Sequence, residues 1–167
     1  MPVPGEAGPP DMNPLRRTAT RVGATDRLRD HADRLVRVDR AVRRVSGGRV
    51  TLLALAGLPE IYLTVPGRGS GTPRTRALLG VRSNGGWLVV DSNWGRDEPP
   101  AWAGDLVAAG RATVEHRGHH TTVVPRLLCG EERAGAWRRL VDAWPPFESD
   151  AARTARELDV FFLEPAP

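Results

Sequence analysis

The sequence predicts an α+β protein with a β-barrel core, and three observations carry that prediction. From residue 49 onward the apolar residues alternate or gather in short runs, the pattern of half-buried and buried strands. Tight turns join these runs: Ser83-Asn84-Gly85-Gly86 and Arg117-Gly118 fall between strand-like segments, and Asn-Gly is turn chemistry that hairpins favour. Helical periodicity is restricted to a few segments between or outside the hairpins, so the helices read as lids on a barrel.

Taken in order, residues 1–23 are poor in large apolar groups and punctuated by Pro and Gly, which predicts a mobile tail. Residues 24–167 are expected to form a single domain. It opens with an amphipathic helix over residues 25–46, with Thr25 as N-cap and Asp26 in the first turn. Leu28, Ala32, Leu35, Val38, Val42 and Val45 recur near the helical period, and Gly47-Gly48 ends the run. Strands are expected at Val50–Ala56, Glu60–Val65, Thr75–Arg82 and Trp87–Ser92. Pro100 opens a short helix to Ala109, closed by Gly110. Arg111–His116 and His119–Leu128 form a further hairpin. A second amphipathic helix, Glu131–Ala143, aligns Trp137, Leu140, Val141 and Trp144 and is stopped by Pro145-Pro146. A short helix around Ser149–Arg156 and a strand at Leu158–Leu163 complete the chain.

Composition narrows the functional classes. At 167 residues, 40% hydrophobic and 26% charged, the chain can bury a core without disulfides. No apolar run approaches the roughly 18–20 residues of a membrane span, and Met1–Pro14 lacks the apolar stretch of a secretory signal. The single cysteine, Cys129, excludes an intramolecular disulfide and fits a reducing, cytoplasmic setting; its own expected place is as a small buried hydrophobe. The formal charge is +4, carried by 24 arginines and no lysine, which favours anionic partners. Arginines mixed with acids along the chain, without a recognised motif, argue against nucleic acid. The interleaved Arg and Asp of helix 25–46 admit two readings, a helix on an anionic membrane or one packed on its own domain.

One loop concentrates chemistry. Val65–Arg76 contains three glycines, which allow backbone N–H groups to approach a ligand, with Ser70, Thr72 and Thr75 hydroxyls and Arg68, Arg74 and Arg76 guanidiniums. It reads either as an anion cradle or as a solvated turn kept soluble by its arginines. It is not a Walker A loop, since no G-K-[ST] is present and a strand follows. A second polar loop, Ser92-Asn93-Trp94-Gly95-Arg96, follows a strand, where Trp94 could wall a planar ring while Trp102 reads as packing. His119 and His120 are neighbours in a strand and point to opposite faces, so a shared metal ion is not expected. Asp97 and Glu98 are carboxylates in a loop without spacing that singles them out, and no Ser-His-Asp arrangement is legible.

The order Leu63–Arg74, Val89–Gly95, Pro100-Ala101-Trp102, Asp105-Leu106, Gly130–Arg133, Trp137, Trp144-Pro145 and Val160–Pro165 resembles the deazaflavin-dependent nitroreductase family over roughly residues 45–165. That resemblance implies a split β-barrel related to FMN-binding barrels and the 5-deazaflavin coenzyme F420, with FMN a weaker alternative. The implied activity is hydride transfer to a quinone or nitroaromatic, with a non-catalytic ligand-binding barrel as the contrasting reading. By the resemblance Arg68, Ser70, Gly71 and Arg74 hold the phosphate and acidic tail. Ser92, Asn93, Trp94 and Gly95 approach the ring, and Trp102 packs beside it. The chain departs from the family at Gly69 and Asn93, where basic residues are common, and at Phe147 and Asp150, where tyrosines contact or protonate substrate. Asp150 is the candidate left for catalysis; Phe147 cannot donate a proton. Family precedent also admits a homodimer and peripheral membrane association through the N-terminal helix.

Overall fold

The computed structural model describes Arg37, Val38 and Ala41, all helical, together with residues 57–167. The expected tail, most of helix 25–46 and the strand Val50–Ala56 lie outside the described residues. The remainder is a curled antiparallel sheet with three helices, the split β-barrel that the sequence implies. Its strands are β1 (Glu60–Pro66), β2 (Pro73–Leu79), β3 (Val81–Ser83), β4 (Gly86–Val90), β5 (Ala112–His116), β6 (His119–Leu127) and β7 (Val160–Pro165), in spatial order β2-β1-β5-β6-β7-β4-β3. The helices are α1 (Ala101–Ala109), α2 (Gly130–Ala143) and α3 (Pro146–Arg153).

The two edge strands, β2 and β3, are neighbours in sequence with only Gly80 between them. One stretch of chain therefore serves both edges, and its corner curls the sheet towards closure. The uninterrupted strand expected over Thr75–Arg82 is thus two strands. The reason is steric: a Cβ on Gly80 would lie 2.8–2.9 Å from three side-chain carbons of Ile61, which is fully buried. The Gly80 N–H donates to Pro59 O at 3.0 Å, fixing the corner.

The hairpin turns have the chemistry their sequences suggest. Asn84 and Gly85 have φ of +44° and +81°, and Arg117 and Gly118 have +52° and +79°, the left-handed pair that matches strand twist. Alternation then divides the interior into two cores. Trp87 and Val89 of β4 and Phe161 and Leu163 of β7 pack inside the barrel with Ile61, Leu63, Val114 and α1. Leu88, Val90, Val160 and Phe162 face the other way, onto Leu140 of α2 and Phe147 of α3. Both faces of β4 and β7 are covered, which is why their sequences read as unbroken apolar runs.

Helix α1 ends as expected, with Gly110 at φ +62° donating to Leu106 O at 3.0 Å. Glu131 and Glu132 occupy the first turn of α2, where the helix dipole favours anions. Helix α3 begins at Pro146 and ends at Arg153, earlier at both ends than expected, because proline is preorganised for a first helical position. Strand β7 is correspondingly delayed to Val160, and Leu158 O accepts from Arg133 Nη2 at 2.8 Å. Cys129 is exposed at the head of α2, contrary to its expected burial. No helix among the described residues is long and apolar enough to cross a membrane.

Candidate functional site

The arginine-bearing loop is a built structure. Gly67 N–H donates to Thr72 O at 3.0 Å, Gly71 N–H to Gly67 O at 2.8 Å, and Thr72 N–H to Ser70 Oγ at 3.3 Å. Gly71 has φ +64° and both it and Gly69 face open space, so their backbone is approachable from outside. The loop is fastened to α1 by Asp105. One carboxylate oxygen accepts from Arg68 N–H and Arg68 Nε, each at 3.1 Å, and the other lies 3.9 Å from Arg74 Nη1. The Arg68 backbone N–H, followed by its guanidinium, holds the Asp105 carboxyl below its ordinary range, against the opposing effect of burial. Gly104 makes this docking feasible, since a Cβ there would sit 2.8 Å from the Arg68 guanidinium carbon. Gly67 has the same role towards Arg74, at 3.1 Å from its Nε.

Two guanidiniums around one carboxylate leave a net positive site. The side chains of Arg68 and Arg74 remain 58% and 49% exposed, so their outer N–H groups face solvent and can receive an anion. The loop is exposed, and its internal bonds and the tie to Asp105 fix its geometry.

The second loop leaves β4 through a 3-10 turn, Asn93–Gly95. Asn93, Trp94 and Gly95 have φ of +44°, +60° and +69°, three consecutive left-handed residues. That conformation is ordinary for Gly and tolerable for Asn but costly for Trp. Asn93 Nδ2 donates to Glu98 O at 2.7 Å, and Gly95 N–H to Ser92 O at 2.8 Å. Helix α3 lies directly on the turn: a Cβ at Gly95 would come within 2.7 Å of Asp150 O. Trp94 is half-buried, whereas Trp102 is buried in the barrel core, edge-on to Phe161.

Asp91 and Arg156 bracket this loop. Arg156 Nη1 lies 2.9 Å from both Asp91 carboxylate oxygens, Arg156 Nη2 donates to Asp91 O at 2.6 Å, and Arg156 Nε reaches Arg96 O at 3.3 Å. Asp159 N–H adds a bond to Asp91 Oδ1 at 2.8 Å. Burial pushes the Asp91 carboxyl up, an effect that the Arg156 bond and charge only partly counter. Asp150 is also buried, with its Oδ1 3.7 Å from Arg153 Nη1. Phe147 packs in the second core at 6.4 Å from the Trp137 ring.

Asp91, Asp105 and Asp150 are the buried charged side chains among the described residues, and all three adjoin these two loops. Sequence reasoning selected Asp150 but did not single out Asp105 and Asp91 as the carboxylates that fasten the two loops. A signal existed for both: Asp105 follows Trp102 by one helical turn on a buried stripe, and Asp91 ends the apolar run Gly86–Val90. A charge in an apolar series calls for a partner. Arg156 carried no such signal, because nothing local distinguishes it from the other arginines. His116 bonds Glu60 O through Nδ1 at 2.9 Å, while His119 and His120 are exposed.

A family model described as F420H(2)-dependent quinone reductase matches residues 35–165. A Mycobacterium tuberculosis protein provisionally named an F420H(2)-dependent quinone reductase is 29% identical over 108 residues, covering 65% of this chain and 91% of its own length. The solved structure of an F420-H2 dependent reductase superposes with a TM-score of 0.60 at 31% identity, over 64% of this chain and 94% of that one. A second solved structure, described as a domain-swapped dimer, gives a TM-score of 0.62 at 28% identity, over 76% and 96% of the two chains.

Proposed function

The chain belongs to the F420H(2)-dependent quinone reductase family, with coenzyme F420 as its cofactor, and on that premise we propose that it reduces a planar, electron-poor acceptor. Quinones are the favoured acceptor class and nitroaromatics the second. The observation that carries this reading is the placement of the three buried carboxylates. Buried charge costs stability unless it is paired, so its concentration at two loops favours a role in shaping them over a role in holding the fold.

The residues present fit the cofactor. Its phosphate and acidic tail need cations and open backbone, and the loop supplies Arg68, Arg74, the Ser70 hydroxyl and the unhindered Gly69 and Gly71. When bound, reduced F420 supplies a hydride at C5 of its deazaflavin ring. Ser92, Asn93, Trp94 and Gly95 would orient that ring and Trp102 would support it from the barrel side. Asp105 keeps the arginines in place without neutralising both. Asp150 is the candidate for handling the acceptor's proton, since α3 lays its backbone on Gly95.

Fluorescence titration with F420, beside FMN as competitor, tests the cofactor site. Arg74→Ala is expected to weaken F420 binding several-fold at low salt and less at moderate salt, the behaviour of a half-exposed charge contact. Indifference of the affinity to Arg74, or preference for FMN, would remove the cradle from the site. Asp150→Asn tests the chemistry: kcat with a quinone should fall at least tenfold with F420 affinity held. An unchanged kcat assigns the proton to water. Tight F420 binding without turnover of any quinone or nitroaromatic would favour a binding module.

A further inference from the structure

We propose that Arg156 is a positioning residue that sets the strained loop Ser92–Gly95 for the cofactor ring; the inference rests on the assignment of that loop to the ring given above. The loop leaves the sheet at Asp91 and rejoins regular chain at Arg96. Arg156 grips both ends at once, through the Asp91 carboxylate and carbonyl at 2.6–2.9 Å and through the Arg96 carbonyl at 3.3 Å. A planar guanidinium with five N–H donors can bridge a carboxylate and two carbonyls in this way, and a lysine cannot.

The grip is itself anchored. Thr154 Oγ1 accepts from Arg156 N–H at 3.3 Å and donates to Asp97 Oδ1 at 2.9 Å, so the segment after α3 holds the loop at a third point. Asp91 is fastened from behind by Asp159 N–H, and its own N–H donates to Asp159 O at 3.1 Å. Between the two gripped ends lie the three consecutive left-handed residues, including Trp94 at φ +60°. A bulky residue stays in that region only when its surroundings over-determine it. Gly95 against Asp150 O constrains one side of the turn, and Arg156 constrains its two ends. Without the fork the two ends lose their common clamp, and only the bonds within the turn and those from Asp159 and Thr154 remain to hold Trp94 at positive φ, so the backbone N–H groups of the loop are less firmly set towards the ring.

The test is Arg156→Lys, which keeps the cation but not the bridge, read in three ways. In the unliganded protein, hydrogen exchange at the Gly95 and Arg96 amides should quicken at least tenfold, while amides of β1 and β5 are unchanged. F420 affinity should fall about tenfold, and the loss should persist at moderate salt, unlike that of Arg74→Ala. Turnover should fall in kcat as well as in KM for F420, because the ring is misplaced as well as less tightly held. Unchanged exchange would overturn the positioning role and leave the ring assignment standing. Faster exchange with unchanged affinity and kcat would overturn the assignment of the loop to the ring, and the positioning role with it. Should Arg156→Lys fail to fold, Asp91→Asn, which keeps the shape of the carboxylate and removes its charge, is read by the same three measurements and the same outcomes.

Discussion

Phe147 shows how a residue's surroundings decide what a substitution does. By family resemblance its position belongs to a hydroxyl-bearing residue near substrate, and restoring tyrosine there looks like a route to higher activity. The ring is nevertheless buried in the second core against Trp137, with Leu140 in the same cluster. Phe147→Tyr would place a hydroxyl among apolar neighbours, and an unpaired buried hydroxyl costs about 1–3 kcal/mol. We expect a lower unfolding free energy by denaturant titration and no gain in kcat; a gain would show that the ring turns towards substrate in the complex. The residue scale is also where the sequence is most uneven as a guide. Arg68 and Arg74 announce themselves through glycine-rich spacing, which is local. Their partner Asp105 lies 37 positions from Arg68, and Arg156 lies 65 from Asp91, so no local pattern joins them. Only the buried stripe of α1 betrays Asp105, as a charge among Trp102, Ala103 and Leu106.

Among the elements, the hairpins were legible because turn chemistry is local: Asn84-Gly85 and Arg117-Gly118 demand left-handed backbone and adopt it. The corner at Gly80 was not, because its cause is a contact with Ile61, across the β1–β2 pairing. The apolar run Ala77–Val81 continues through residue 80 in sequence, and only the packing reveals the break. Helix α3 illustrates the same limit in another form. Its proline start is a local signal that reads in sequence as a stop for α2, whereas Pro146 both follows one helix and opens the next. The corner gives a direct test. Gly80→Ala inserts a Cβ 2.8–2.9 Å from the branched carbons of a fully buried Ile61, and such overpacking costs about 1–3 kcal/mol. The thermal midpoint should fall by several degrees, and Ile61→Val in the same chain should recover part of the loss by returning volume. Equal stability of Gly80→Ala and wild type would mean that the corner is not tightly packed.

Taken as a whole, the molecule holds its two loops by buried carboxylates whose environments differ, and acid should release them in a fixed order. Asp91 and Asp105 share an ordinary value of 3.8. Burial raises the first, and the Arg68 backbone N–H with its guanidinium lowers the second. The signs have opposite consequences for stability. Asp105, with its folded value depressed, contributes stability that is complete above 3.8 and is lost as pH falls through the folded value. Asp91, with its folded value raised, makes its contribution below 3.8 and loses it as pH rises through the folded value. Acidification towards 3.8 therefore protonates Asp91 while favouring the fold at that site, and it weakens the charge that holds Arg156. The loop Ser92–Gly95 should loosen in a protein that is still folded, with the arginine cradle still fastened to Asp105. Carboxyl carbon NMR through a pH titration should show the Asp91 midpoint above that of Asp105. Amide exchange at Gly95, corrected for its intrinsic pH dependence, should lose protection over the Asp91 transition while Arg68 stays protected. A reversed order, with Asp105 titrating first, would mean that the bonds from Arg156 outweigh the burial of Asp91, and the two loops would then part from the protein in the opposite sequence.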